Sequence, residues 1–183
     1  MKLTQVKKIV IVAVCAALAI VLPMAFHSIP NAGKVWLPMH IPVLLCGIVT
    51  GPVGGLAAGV LGPVLSSVLT GMPPAPILPS MTCELAVYGL VAGLLSSKVR
   101  TGRLVADLYV ALGGAMVAGR LVGGLLQALV FSAGSYSFGA WFAGYFTMSV
   151  PGIVLQLVVI VPIAIALERA GLVPARYPRA DEQ

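Results

Sequence analysis

The chain consists of long apolar runs joined by short connections, a pattern that leaves few folds open. An α-helix rises about 1.5 Å per residue, so about 20 apolar residues cross the roughly 30 Å hydrocarbon core of a bilayer. The predicted spans cover residues 6–26, 36–50, 52–70, 79–97, 105–131 and 141–170, of which the second is short. The sequence therefore predicts an all-α integral membrane protein, a compact bundle of six transmembrane helices forming one membrane domain over residues 1–183.

Basic residues predict which ends of the spans face the cytoplasm. Nine of the eleven Lys and Arg residues lie near the chain termini or in one central loop. They are Lys2, Lys7, Lys8, Lys98, Arg100, Arg103, Arg169, Arg176 and Arg179. Because cytoplasmic loops carry an excess of Lys and Arg, both termini are predicted to be cytoplasmic. This orientation requires the short second span, since without it the central loop would lie outside.

Composition argues against soluble and nucleic-acid-binding classes. The chain is 60% hydrophobic and 9% charged, against roughly 25% charged residues in a soluble domain. Its net charge of +6 lies almost wholly at the predicted inner face, which fits contact with anionic lipid rather than nucleic acid. The three cysteines lack metal-ligand spacing, so no metal site is predicted. The sequence contains no catalytic or ATP-binding motif, so a non-enzymatic protein is expected.

Polar residues inside the predicted spans are the candidates for a binding site. A charge within a bilayer costs about 2.5–3.5 kcal/mol on insertion scales, so such residues face a cavity or each other. Arg120 and Gln127 share one face of the fifth span, and Tyr88 lies one turn from Glu84 on the fourth. The predicted ligand-binding residues form a polar column in the outer half of the bundle: Asn31, His40, Glu84, Tyr88, Arg120 and Gln127.

Two interpretations of this column stay open. In one, Arg120 binds a carboxylate or phosphate of a ligand, and Glu84 binds a hydroxyl or a cationic nitrogen. In the other, Arg120 and Glu84 form a buried ion pair that only fixes the register of their helices. Gln156, in the last span, is expected to bond a neighbouring backbone group.

Other features are expected to be structural or exposed. Asp107 and Glu168 lie near inner helix ends, where water should reach them, and residues 171–183 form a short polar tail that should be frayed. Lys34 lies alone in an outer loop. Small residues four apart, such as Gly55 with Gly59 and those at 119 and 123, predict close helix packing.

Several segments together resemble the substrate-binding S components of energy-coupling factor (ECF) vitamin transporters. A basic amino end precedes the first of them. They read AVCAA (13–17), LPMHIPVLL (37–45), GPVGG (51–55), SSVLTGMPP (66–74) and ELAVYGL (84–90). The group includes proteins for pantothenate, niacin and pyridoxine, and the resemblance covers essentially the whole chain.

The resemblance implies a function and a set of partners. Such a subunit captures a water-soluble vitamin or related micronutrient at the outer face of a bacterial plasma membrane; the best candidates here are pantothenate, then niacin or pyridoxine. It then docks on a membrane scaffold, the T subunit, which two cytoplasmic ATPases drive. The family's Ala-x-x-x-Ala docking motif falls on Ala13 and Ala17. No cofactor is expected on this chain, because the partner subunits hydrolyse ATP.

Two other classes of membrane protein remain as alternatives. A small scaffold or assembly protein would bind no ligand, and its Arg120–Glu84 pair would be structural. A stand-alone channel or exporter would carry a polar stripe to both faces, whereas this column stops in the outer half of the bundle.

Overall fold

The computed structural model of the protein describes residues 3–26, 32–131 and 137–177. These ranges contain six helical segments long and apolar enough to cross a membrane, and no β-strand. The segments are Gln5–Ala25, Gly33–Thr50, Pro52–Thr70, Leu78–Lys98, Leu104–Val130 and Phe138–Arg169. The predicted all-α class and the predicted number of spans are confirmed.

Some of these segments are divided into shorter helices. In chain order the helices are α1 (Gln5–Ala25), α2 (Ala32–Trp36), α3 (His40–Thr50), α4 (Pro52–Thr70), α5 (Leu78–Lys98), α6 (Leu104–Leu126), α7 (Phe138–Phe142) and α8 (Val150–Arg169). One π-helical turn, Gln127–Phe131, follows α6, and another, Ala143–Thr147, follows α7.

The second segment is broken near its start, between α2 and α3. Leu37 has a φ of 50°, in the left-handed region that non-glycine residues seldom adopt, and the break leaves α3 with only 11 residues. α2 is held against the start of α8, where a Cβ on Gly152 would lie 2.7 Å from the carbonyl oxygen of Val35. The short predicted span is therefore a short helix preceded by a separate helical turn.

Glycines allow α4 and α5 to cross with their backbones in contact. A Cβ on Gly55 would lie 2.1 Å from the carbonyl oxygen of Gly89, and one on Gly59 would lie 2.3 Å from that of Leu85. In a bilayer no hydrophobic force drives helices together, so close backbone packing supplies much of the attraction. The predicted packing role of Gly55 and Gly59 is thus confirmed.

The main apolar core joins α3, α5, α6 and α8 in the middle of the bundle. Its buried side chains include Leu44, Tyr88, Leu112, Met116 and Ile160. His40, Glu84 and Arg120 each lie about one turn from one of these core residues. The apolar core therefore lies directly beneath the polar column.

Basic residues gather at one end of the bundle, which we call the basic end. Among the described residues these are Lys7, Lys8, Lys98, Arg100, Arg103, Arg169 and Arg176. At this end the segment after α8 folds onto the loop between α5 and α6, where Arg100 donates a hydrogen bond of 2.6 Å to the carbonyl of Arg176.

Asp107 lies at the basic end but is fully buried, so the prediction that water reaches it is wrong. Its Oδ1 accepts hydrogen bonds from the backbone N–H and the hydroxyl of Thr101, at 2.8 and 2.7 Å. Its Oδ2 accepts the hydroxyl proton of Tyr177. The tail covers this carboxylate from a position 70 residues along the chain, which sequence position alone did not reveal. Glu168, by contrast, is only half-buried.

The first part of the tail is folded, so the prediction of fraying is wrong for residues 171–177. The backbone N–H of Arg176 donates to Glu168 Oε1 at 3.0 Å, and its guanidinium donates to the carbonyl of Ser96. The backbone N–H of Gly102 donates to the Tyr177 hydroxyl at 3.0 Å. Residues 178–183 lie outside the described residues.

Candidate functional site

A cavity of about 680 Å³ opens at the end of the bundle opposite the basic end, which we call the cavity end. Pockets that bind small molecules usually measure about 300–1,000 Å³. Most of its wall is apolar. The described residues that line it are Pro23, Phe26, Gly33, Lys34, Leu37, Pro38, Met39, His40, Met72, Pro73, Pro74, Ile77, Ser80, Met81, Glu84, Arg120, Gln127, Gly144, Tyr145, Met148 and Ser149.

Serine side chains at the end of α4 fix the loop that forms one wall of the cavity. Ser66 Oγ donates to the carbonyl of Met72 at 2.7 Å, and Ser67 Oγ donates to that of Pro73 at 2.8 Å. These bonds satisfy backbone groups in an apolar environment, where unpaired ones are costly. The loop therefore keeps its Met and Pro side chains against the cavity.

Arg120 lies at the cavity wall with only 4% of its surface exposed. Its Nη2 donates to Ser149 Oγ at 3.3 Å, and its Cζ lies 5.3 Å from the centre of the Phe146 ring. Trp141 Nε1 donates to the Arg120 carbonyl at 3.2 Å. A guanidinium carries five N–H donors, and Ser149 accepts one of them. Because Arg120 lines the cavity, its guanidinium can donate to a ligand bound there.

His40 and Glu84 face each other across the cavity wall. His40 is the first residue of α3, is 3% exposed, and its Nε2 lies 3.8 Å from Glu84 Oε1. Neither ring nitrogen of His40 has a hydrogen-bond partner among the described residues. The Tyr88 ring meets the His40 ring edge-on, with centres 5.0 Å apart. Tyr88 therefore supports His40 from beneath the cavity.

The alternative ion pair between Arg120 and Glu84 does not form in the described part of the chain. The carboxylate of Glu84 is beside His40, whereas the guanidinium of Arg120 is beside Ser149 on the last membrane segment. Two opposite charges that line one cavity without meeting leave both available to a third group.

Two glycines of α6 make room for the side chains of this site. A Cβ on Gly119 would lie 2.4 Å from the Tyr88 ring. A Cβ on Gly123 would lie 3.3 Å from Glu84 Cγ and 3.3 Å from the Tyr145 hydroxyl. At Gly119 and Gly123 the backbone of α6 therefore packs closely against side chains rather than against another helix backbone. This packing positions polar groups of the cavity.

Comparison with known proteins identifies the family. Residues 7–164 match the family model described as ECF transporter, substrate-specific component. The chain belongs to this family. No curated protein and no solved structure matches it. The protein is thus a multi-pass membrane protein and a substrate-specific subunit of an ECF transporter, the family that its sequence resembles; such subunits are transporter components.

The structure of this S component brings four of the six predicted ligand-binding residues to one cavity. His40, Glu84, Arg120 and Gln127 line it. Tyr88 is fully buried and is not among the lining residues. The sixth predicted residue, Asn31, lies outside the described residues.

The other candidate residues, Gln156 and the two docking alanines, do not line the cavity. Gln156 is fully buried, and neither polar atom of its amide has a hydrogen-bond partner in the described part of the chain, so the expected bond to a neighbouring backbone is absent there. Ala13 and Ala17 lie on the exposed face of α1 and do not line the cavity.

Sequence reasoning missed four polar residues of the cavity wall: Lys34, Ser80, Tyr145 and Ser149. Lys34 stood out as an outer-loop cation, but only the packing of α2 on α8 places it at the cavity. Tyr145 and Ser149 gave no signal, because tyrosine and serine are common near the ends of membrane helices and their cavity-facing position depends on the π-helical turn before α8.

The charges of the S component's cavity favour an anion. Its described lining contains two cations, Lys34 and Arg120, and one carboxylate, Glu84, so it carries one excess positive charge when His40 is neutral. Electrostatic interactions are stronger in a site that excludes water. An anionic group beside Arg120 would meet the N–H donors of its guanidinium.

Proposed function

We propose that this S component captures a carboxylate-bearing, water-soluble vitamin in the cavity and delivers it to an ECF scaffold. The observation that carries the proposal is Arg120, which is 4% exposed at the cavity wall with one donor bound to Ser149. A buried arginine is costly unless its donors are satisfied, and a carboxylate accepts two N–H donors of a guanidinium side by side.

Pantothenate fits this cavity better than the other two candidates. Its carboxylate matches Arg120, its hydroxyls can donate to Glu84, and its dimethyl group suits walls of Met and Pro side chains. Nicotinate offers the carboxylate but no hydroxyl that could donate to Glu84. Pyridoxine carries no carboxylate for Arg120.

Delivery requires partners, since the sequence contains no ATP-binding motif. We assign docking to the exposed face of α1, where Ala13 and Ala17 would let a scaffold helix approach closely. The partner would be the T subunit, driven by two cytoplasmic ATPases that perform the ATP hydrolysis. The basic end, with both termini, would face the cytoplasm of a bacterium and the cavity would open outside.

Ligand binding by the purified protein tests the proposal. Native mass spectrometry would ask which small molecule co-purifies, and titration calorimetry would compare pantothenate, nicotinate, pyridoxine and pantothenol, the uncharged alcohol analogue of pantothenate. We expect pantothenate to bind most tightly and pantothenol much more weakly. Equal affinity for pantothenate and pantothenol would refute recognition of a carboxylate.

Thiol labelling tests the orientation. In a variant whose native cysteines are replaced by Ala, a cysteine at Ala75 should react with an impermeant reagent added outside right-side-out vesicles. A cysteine at the exposed Arg103 should react only after the vesicles are opened. The reverse pattern would place the cavity in the cytoplasm.

A further inference from the structure

We infer that Ser149 is a positioning residue that aims Arg120 at the ligand and so sets the preference for a carboxylate over an uncharged group. This inference rests on the proposed function of the cavity, which it extends to the residue that controls its selectivity. Ser149 is 2% exposed and lines the cavity beside Arg120.

The hydrogen bonds of Ser149 determine what its hydroxyl can do. A hydroxyl has one proton to donate and two lone pairs. Its proton is committed to the carbonyl of Tyr145, at 2.5 Å, and its oxygen accepts from Arg120 Nη2 at 3.3 Å. With no proton left, Ser149 cannot itself donate to an anion. Its effect on an anionic ligand must therefore pass through Arg120.

The same short segment fixes Arg120 on its other sides. The Phe146 ring lies 5.3 Å from the guanidinium carbon, and Trp141 donates to the Arg120 carbonyl at 3.2 Å. Both residues and Tyr145 belong to α7 and the π-helical turn that follows it, and Ser149 is the residue before α8. π-helical turns are rare and often occur at functional sites.

This arrangement predicts that the Arg120 guanidinium is already oriented for an anionic ligand before the ligand binds. The bond from Nη2 to Ser149 and the nearby Phe146 ring restrict the orientation of the guanidinium, and so of its remaining N–H groups. An anion then meets donors that are already oriented and loses less side-chain freedom on binding. An uncharged ligand gains little from this orientation, because its bonds to Arg120 are weaker.

The test compares Ser149→Ala with a matched change outside the cavity, Ser96→Ala. Ser96 is also buried, but it lies at the basic end, is not among the cavity-lining residues, and donates at 3.3 Å to the carbonyl of Ile48. We expect Ser149→Ala to weaken pantothenate binding by about 3- to 10-fold, the effect of one hydrogen bond. Pantothenol binding should change little, so the preference for the acid falls by the same factor. Ser96→Ala should leave that preference unchanged.

A double-mutant cycle shows whether Ser149 acts through Arg120. In the Arg120→Gln background, Ser149→Ala should have no further effect on pantothenate affinity. Ser149→Cys, which retains a side chain of similar shape but is a poorer acceptor, supplies a second variant if the alanine variant does not fold. It should reduce the preference in the same direction.

The outcomes separate this inference from the proposed function. A wild-type protein that binds pantothenate and pantothenol equally would overturn both. A wild-type preference for pantothenate that persists unchanged in the Ser149 variants would overturn the positioning role alone. Equal losses for the two ligands, or an undiminished effect in the Arg120→Gln background, would also overturn it, because Ser149 would then only shape the cavity.

Discussion

Two largely buried arginines at opposite ends of the bundle have different surroundings. At the basic end, the Arg176 side chain is 9% exposed and donates to the carbonyl of Ser96; its Nη1 has no hydrogen-bond partner among the described residues but lies 3.9 Å from the carboxylate of Asp107. At the cavity end, Arg120 is 4% exposed, lines the cavity, and donates from Nη2 to Ser149. The first arginine ties a chain segment to the bundle, whereas the second leaves donors directed at a cavity.

The comparison teaches that burial of a charge does not by itself indicate a ligand site. A buried charge that faces an opposite charge of the protein, as Arg176 faces Asp107, is structural, and removing one partner destabilises the fold. A buried charge at a cavity wall without such a counter-charge, as at Arg120, is stabilised when a ligand supplies an anionic acceptor. Changes at the basic end should therefore alter stability, and changes at the cavity end should alter affinity.

The largest expected effect lies outside both regions, on the exposed face of α1. Ala13→Leu or Ala17→Leu should abolish ATP-dependent uptake, because a bulky side chain prevents close approach of a partner helix. Ligand affinity and thermal stability of the isolated subunit should stay the same, since neither residue lines the cavity. Uptake assays in vesicles with the complete transporter measure this. Normal uptake in the double variant would remove α1 from the partner interface.

The next largest effect is on affinity at the cavity end. Arg120→Gln should weaken pantothenate binding by about 10- to 150-fold, since charge-assisted bonds contribute roughly 1.5–3 kcal/mol. Arg120→Lys should retain only part of the pantothenate affinity, because an ammonium group cannot replace the two parallel N–H donors of a planar guanidinium. Arg103→Gln, the same change on an exposed residue at the basic end, is the control for calorimetry.

A double variant decides between a ligand-binding arginine and a structural ion pair. If Arg120 and Glu84 only pair with each other, Arg120→Gln combined with Glu84→Gln should recover both stability and binding. We expect no recovery of binding. Full binding by the double variant would refute the anion site and remove the contrast between the two arginines.

At the basic end the expected loss is in stability. Asp107→Asn should lower the free energy of unfolding by about 2 kcal/mol, because the buried carboxylate accepts three hydrogen bonds. Pantothenate affinity of the folded protein should not change. Thermal unfolding together with calorimetry measures both quantities. A large loss of affinity at unchanged stability would contradict the structural role of the basic end.

The smallest effect is expected at Tyr177, whose hydroxyl bonds both Asp107 and the backbone of Gly102. Tyr177→Phe should cost about 1 kcal/mol of stability, the usual net contribution of a hydrogen bond. The matched control is Tyr109→Phe, at a tyrosine that is 45% exposed. Equal unfolding temperatures for the two variants would show that the Tyr177 hydroxyl adds nothing to stability.

The sequence by itself determined the six membrane-spanning segments and most of the polar candidates. Within a bilayer each segment must form all the hydrogen bonds of its own backbone and present apolar side chains to the lipid. Both requirements concern one continuous segment, so they can be read from the sequence. The cost of a charge in the membrane is likewise a property of one position, so the sequence alone indicates Arg120, Glu84 and His40 as candidates.

Only the tertiary structure decided which groups meet. Glu84 faces His40 rather than Arg120, Ser149 reaches Arg120 from 29 residues along the chain, and Tyr177 covers Asp107 from 70 residues away. Each contact depends on which helix faces pack against each other in the bundle. The contacts of Ser149 and Tyr177 depend in addition on the π-helical turn before α8 and on the folded tail. No pattern along a single segment encodes that choice, because it results from the packing of all the helices together.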